Sequence, residues 1–425
     1  MNGVVGDEIE DVEDVESFRL RARAWIRASL KPYSAERAMG LGSVSAEEEL
    51  AAVAYERQLQ RAFFDAGFAG ICIPRKYSGQ GLTPAHQRAF NEELAGYECP
   101  TRFQIPTMAP CAAVLLEFGT EEQKTRHLPA ILKGEEIWMQ FLSEPSGGSD
   151  LAGALTSAVR QGDDWVLNGS KIWTTGAWWS DWALCLARTN WDVPKHRGLT
   201  VFILPIRQPG IEISQIEMLN GGKDFCQEYL TDVVVPDADR VGDVDNGWTV
   251  CVRWMFHERT IFTSSYVTHP VGAPRGNGGA APIDIARAAD RLADPCARDL
   301  IGEARMLEVV SNELSRRISA GMTSRRMSDQ AAAVSRLFGG TARARTTTIK
   351  SELAGPAAAA WSDDDGAASQ AGVGFLMRQT SCIGGGTTEM ARNVVSERVL
   401  GMPREPALDR DVPFRDVPRG GSRRA

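Results

Sequence analysis

The strongest constraint in this chain is a change of hydrophobic period near residue 139 and its reversal near residue 240. Up to about residue 138 the spacing is helical: Tyr55, Leu59 and Phe63 fall four apart, which stacks them on one helix face. A further helix fits Pro84 to about Gly96, with Glu92 and Glu93 near its end. Thr120-Glu-Glu-Gln123 has the form of a capping box opening a helix toward Leu132. From 139 to 240 the pattern shortens. Ser157–Val159 and Trp165–Leu167 flank Gln161-Gly162-Asp163-Asp164, a hairpin signal. Trp182–Ala187, Leu199–Ile206, Ile211–Ile216 and Glu228–Val235 follow as β-branched and aromatic runs, with polar turns about every 8–12 residues. From Gly247 to about Leu400 the helical period returns, with Leu307, Val310, Leu314 and Ile318 in step. Such a chain should be an α+β multi-domain protein. We expect an acidic flexible arm at 1–17, an N-terminal helical domain at 18–138, and a middle β-barrel or sandwich at 139–240. A C-terminal helical bundle at 241–403 and a tail at 404–425 complete it. Loops are expected at Ala273–Pro282 and Trp361–Gly374.

Several function classes are disfavoured. The net charge of −8 argues against a dedicated nucleic-acid binder. No apolar run reaches the roughly 18 residues of a membrane span. The acidic start is unlike a signal or transit peptide, so a cytoplasmic location is expected. Eight cysteines, at 72, 99, 111, 185, 226, 251, 296 and 382, contain no CxxC pair and fit a reducing compartment. The chain has no GxSxG elbow, no HExxH and no phosphate-loop motif. Asp243-Val-Asp245-Asn-Gly247 resembles the start of a calcium loop, but Trp254 stands where the bidentate Glu is needed. The histidines at 86, 127, 196, 257 and 269 show no ligand pairing, so no metal site is expected.

Three constellations carry chemistry. Phe141–Gly153 (FLSEPSGGSDLAG) lies at the helix-to-β junction, where small residues let a backbone approach a flat or phosphorylated ligand, with Ser143 and Ser149 as donors. By itself it also reads as a plain turn. Gly169–Gly176 (GSKIWTTG) ends a strand with Trp173, which could stack on a flavin-like ring while Thr175 bonds its edge; a core tryptophan is the alternative. Gly384–Arg392 (GGGTTEMAR) runs three glycines into a helix, either an anion site or a simple helix start.

Taken in order, these segments resemble the acyl-CoA dehydrogenase family from about Phe18 to Pro403. Gly67–Pro74, Glu92–Ala95, Gly119–Lys124, Asn168–Lys171, Phe225–Tyr229 and Val233–Pro236 add to the likeness. The ending Ala391–Glu405 is similar to actinobacterial branches, some of which degrade steroid side chains. The resemblance implies FAD as cofactor and oxidation of an acyl-CoA thioester to the 2,3-enoyl-CoA. It places Gln140, Leu142, Ser143, Ser149, Trp173, Thr174 and Thr175 at the flavin, and Thr387, Thr388 and Glu389 at its pyrophosphate. Ser149, Arg259, Gly385 and Gly386 fall on the substrate side.

Two departures matter. Many members carry the base as Glu directly before a Gly-Thr pair, yet Gly386-Thr387 is preceded by Gly385, which accepts no proton. Some branches carry it on an earlier helix before an arginine; Phe256-His-Glu-Arg259 stands there, which makes Glu258 the base. A surface ion pair is the bland alternative for Glu258 and Arg259. Second, the family's Arg-x-x-Phe and Gln-x-x-Gly-Gly stretches correspond to about Arg291–Pro295 and Glu352–Pro356, so the adenosine-side contacts must differ. The resemblance implies an electron-transfer flavoprotein or similar acceptor, and a homo-oligomer or a hetero-oligomer with a related subunit. A flavin oxidase or monooxygenase on the same fold, and a non-catalytic subunit, are the rival functions.

Overall fold

The computed structural model describes residues 13–33, 45–261, 264–271, 280–360, 366–407 and 409–418. Asp14 opens helix α1 (Val15–Ser29): its carboxylate accepts hydrogen bonds from the Glu16 and Ser17 amides, while Glu13 pairs with Arg21. The expected acidic arm therefore gives way to helix by residue 15, and residues 1–12 lie outside the described residues. α1 buries Phe18, Ala22 and Ile26 at four-residue spacing. Their partners include α2 (Ala46–Asp65) and α3 (Pro84–Glu93), through Phe63 and Phe90. Arg19 and Arg23 both reach Glu93, fastening α1 to α3. Helix α4 (Ala113–Phe118) precedes α5 (Glu121–Leu132), where Thr120 and Gln123 form the reciprocal capping box read from sequence.

All eight strands belong to one sheet, the form taken by the expected barrel or sandwich. They are β1 (Trp138–Phe141), β2 (Ser157–Gln161), β3 (Asp164–Thr175), β4 (Trp182–Arg188), β5 (Leu199–Pro205), β6 (Ile211–Ile216), β7 (Phe225–Pro236) and β8 (Arg240–Val241). The order is β6-β7-β3-β2-β4-β5-β8, with β1 also on β4. β4 and β5 are apolar on both faces because each face meets a different core. Leu184, Leu186, Val201 and Ile203 join the helical core of the N-terminal region, while Ala183, Cys185, Phe202 and Leu204 pack with β3 and β7.

One edge of β4 shapes the junction. β1 runs parallel to its first half, ending with Phe141 beside Cys185; β2 rejoins that edge with Ser157 beside Arg188. Residues 142–156 therefore leave the sheet and return to it within a few residues of the same strand.

Six helices follow among the described residues: α6 (Gly247–Arg259), α7 (Pro282–Ala288), α8 (Pro295–Thr323), α9 (Ala332–Ala354), α10 (Ala367–Met377) and α11 (Thr388–Val394). α8 contains the Leu307–Ile318 stripe, but only Ile318 of the four is buried; Val310 is 40% exposed. The break expected at Trp361–Gly374 is shorter than the sequence suggested, because the alanine-rich stretch from Ala367 is helical. Residues 361–365 and most of the Ala273–Pro282 loop lie outside the described residues.

The tail is corrected over residues 409–418, which return to the middle sheet. The Phe414 amide donates to the Val193 carbonyl, the Arg415 amide donates to that of Trp191, and Pro413 bridges Pro194. Phe414 is 3% exposed, stacked on Trp191, with the Arg188 guanidinium 3.7 Å from its ring centre.

Candidate active site

The junction loop is built on a buried ion pair. Lys171 of β3 points inward, where no water can solvate it. Its Nζ donates to Glu144 Oε1 (2.8 Å) and to the carbonyls of Leu186 (2.6 Å) and Leu142 (3.3 Å). Glu144 accepts in turn from the amides of Leu155 (2.6 Å) and Thr156 (3.0 Å), and Lys171 pulls its carboxyl below the usual range against the raising effect of burial. Arg188, fully buried at the end of β4, donates to the carbonyls of Ala152 (2.6 Å) and Ala154 (3.0 Å). Three charged side chains thus fix the loop from beneath, leaving Ser149 exposed and Ser143 half-buried on its outer side. Sequence reasoning quoted Glu144 and Lys171 only as parts of motifs and missed Arg188; the signal was a charged residue inside an otherwise apolar strand.

Beside the loop, β3 carries a bulge against β7 between Ile172 and Thr174. Trp173 takes the left-handed conformation there (φ +67°), which turns its ring outward, 56% exposed and edge-on to Phe225. It is not the core tryptophan of the alternative reading. Thr175 is exposed next to it, whereas Thr174 faces into the sheet. The Thr174 hydroxyl lies 3.0 Å from Glu228 Oε2 and 3.3 Å from the Gln140 carbonyl. Glu228 has no exposure, and burial pushes its carboxyl up to about 7.

Helix α6 spans from this region to the glycine loop. At its centre Trp254 Nε1 donates to Gln140 Oε1 (2.5 Å). At its end, burial pushes the Glu258 carboxyl above the ordinary carboxylate range, with Arg259 and then Arg336 drawing it back. Among the described residues no hydrogen bond to the Glu258 carboxyl is made. His257 faces elsewhere: its Nε2 lies 2.7 Å from Glu117 on α4, which also takes the Arg253 guanidinium by two bonds. Glu117, absent from the sequence reading, is what pins α6.

The structure brings Arg259, which follows Glu258 on α6, to the Gly385–Gly386 pair. A side-chain carbon at Gly386 would stand 3.5 Å from Arg259 Nη2. Both glycines have left-handed φ (+72° and +95°), which other residues rarely adopt. Thr387 caps α11 by accepting from the Met390 amide; Thr388 is buried and Glu389 is exposed, paired with Arg392. On the far side of the bundle Arg291 is already engaged, with Asp294 and with the carbonyls of Glu352 and Leu353.

The chain is similar to known proteins. Residues 12–135 match the N-terminal domain of the acyl-CoA dehydrogenases, and residues 140–233 match their middle domain. Acyl-CoA dehydrogenase IpdE1 of Mycobacterium tuberculosis is 31% identical over 396 residues, 93% of this chain and 99% of the relative. FadE34 of the same organism is 33% identical over 364 residues, but the chain spans about half (48%) of its length. Among solved structures, the Tcur3481-Tcur3483 steroid ACAD superposes with a TM-score of 0.72 at 24% identity, over 93% of this chain and 100% of that one. Butyryl-CoA dehydrogenase from Megasphaera elsdenii gives 0.66 at 20% identity, over 92% and 99%, a likeness of fold. The chain belongs to the acyl-CoA dehydrogenase family of oxidoreductases.

Proposed function

We propose that the chain is an FAD-dependent acyl-CoA dehydrogenase that converts an acyl-CoA thioester to the 2,3-enoyl-CoA, with Glu258 as the base for the α-proton. The observation that carries this reading is the Glu258 carboxyl, half-buried and desolvated at the end of α6, next to the Arg259 that reaches a glycine loop offering no proton acceptor of its own. Burial raises its proton affinity toward the range where a carboxylate can take a proton near neutral pH. The residues present fit FAD: an exposed Trp173 locked outward, Thr175 beside it, and a junction loop in which a side-chain carbon at Gly147 would meet nothing. Gln140, Leu142, Ser143, Ser149, Trp173 and Thr175 would hold the ring system, with Thr174 contributing through its backbone because its hydroxyl is turned inward. Thr387, Thr388 and Glu389 would face the pyrophosphate. FAD, when bound, supplies the acceptor for the β-hydrogen. Ser149, Arg259, Gly385 and Gly386 would meet the CoA thioester, and a backbone amide aimed at the thioester oxygen would acidify the α-carbon.

The test is Glu258→Gln, which should retain bound FAD yet lose anaerobic bleaching of the flavin by acyl-CoA. Near-normal bleaching would overturn the assignment. Hydrogen peroxide production in place of reduction of a dye or an electron-transfer flavoprotein would favour an oxidase. We propose steroid-derived or similarly bulky acyl groups as the substrate class, supported by a solved structure at 26% identity that carries the name steroid ACAD; a panel of acyl-CoAs reads it directly. An oligomer, with itself or a related subunit, is supported by Met306, Val309 and Val310, exposed on α8. A non-catalytic subunit would purify colourless and stay so with added FAD. Among the described residues no helix is long and apolar enough to cross a membrane.

A further inference from the structure

We propose that Arg336 on α9 is a positioning residue for the proton-abstraction step, holding the Gly384–Gly386 loop with its two terminal nitrogens and standing as the fixed counter-charge to Glu258. The inference rests on the reading of Glu258 as the base. Nη1 donates to the Ser381 carbonyl (2.8 Å) and Nη2 to that of Gly384 (2.7 Å), so one guanidinium spans the approach to the glycine pair. A second tie runs the other way, from the Ser381 hydroxyl to the Gly340 carbonyl (3.1 Å).

The helix is shaped for this contact. Gly340 lies inside α9, where glycine costs about 1 kcal/mol relative to alanine. A side-chain carbon there would stand 2.7 Å from Arg336 Nη1, 2.9 Å from the Ser381 carbonyl oxygen and 3.2 Å from Thr388 Cγ2. The loop approaches α9 so closely that only a hydrogen fits between them.

The third nitrogen distinguishes a positioning role from a purely structural one. Arg336 Nε is buried and has no hydrogen-bond partner among the described residues, and it lies 4.0 Å from where a side-chain carbon of Gly385 would be. Consecutive glycines are thus flanked by two guanidiniums, Arg336 at Gly385 and Arg259 at Gly386. They differ in fixity. Arg259 is exposed and among the described residues donates only to the Met255 sulfur, whereas Arg336 is held by two carbonyls and cannot carry its charge away. The other titratable groups in this setting are Arg343 on α9, Cys382 on the loop, Cys251 on α6 itself, and Cys111. Burial pushes the Cys251 thiol up to about 12 and that of Cys111 well above its usual range, so neither titrates with the base.

The sign follows. Removing a fixed cation near Glu258 makes it hold its proton to higher pH, so the acid limb of the kcat/KM profile should rise. For Arg336→Gln we expect the limb to move to higher pH together with a higher KM. Arg336→Lys retains the charge but cannot fork to two carbonyls, so KM should rise with the limb unmoved. Gly340→Ala should behave like Arg336→Lys, and that pair decides the matter if the Gln variant does not fold. Bound flavin, read from the visible spectrum, should persist in all three. An unmoved limb in Arg336→Gln, or an equal shift in Arg336→Lys, overturns the proposal. Glu258→Gln is run alongside: if it bleaches normally the base assignment itself has failed, and if it does not, the failure belongs to Arg336 alone.

Discussion

Thr174 has one hydroxyl proton and two acceptors in reach, the Gln140 carbonyl and Glu228 Oε2. Both contacts are satisfied when Glu228 is protonated and donates to Thr174, which then donates to Gln140. Charge counting agrees. Glu144, Lys171 and Glu228 are buried together, and a single cation neutralises one carboxylate. Glu228 Oε1 has no partner among the described residues, which costs a neutral carboxyl less than an ionised one. A group that keeps its proton to about pH 7 when folded, and loses it near 4.5 when unfolded, stabilises the fold fully below the lower value; that stability is lost as pH rises through the upper. The effect is roughly 3 kcal/mol by linkage. We predict that Glu228→Gln flattens the fall of unfolding free energy between pH 5 and 8, measured by denaturant titration. An unchanged slope would show Glu228 to be ionised throughout. At this scale the sequence was partly legible. Glu258 and the glycine pair could be named because their roles follow from residue type and order. Arg188, Arg336 and Glu117 could not, because a charged side chain reads as surface until its partners, far away in sequence, are known.

Among the elements, α6 carries the most. It bonds β1 through Trp254, adjoins the glycine loop through Arg259, and is held at its flank by Glu117. Truncating Glu117 leaves a buried His257 without its partner and frees the Arg253 fork. Glu117→Ala should therefore cost about 1–3 kcal/mol by denaturant unfolding. A cost below about half a kcal/mol would reduce the cluster to a surface contact. Periodicity located β4, β5 and β6 within a residue, since β4 and β5 are held between two cores, but it shortened β3 and β7 and did not show β1 or β8. It could not show which helix joins which pair of sites, because burial of a helix face is blind to what lies at the helix end. The bulge that exposes Trp173 was equally hidden, since it depends on register with a strand more than fifty residues later.

Across the molecule, the segment at 409–418 changes how the domains relate. It was read as tail because proline, glycine and charge dominate the residues after Pro403, yet Phe414 closes over Arg188, and Arg188 holds the junction loop. Phe414→Ala should cost about 3 kcal/mol. It should also speed amide exchange at residues 150–156 while leaving α5 unchanged, as read by hydrogen exchange with mass spectrometry. Equal protection at the loop in variant and wild type would confine Phe414 to local packing.

The shared edge of β4 has a further consequence, for variation. Because β1 and β2 are both seated on one strand, and Glu144 and Ala152 are tied to buried charges, the outer span between Glu144 and Ala152 can lengthen or shorten without shifting the register of any pair in the sheet. Closure entropy grows only slowly with loop length, so such changes meet little thermodynamic resistance. A scaffold built this way is an adaptable mount: its frame stays constant while the contour presented to a ligand is rewritten by insertion and deletion.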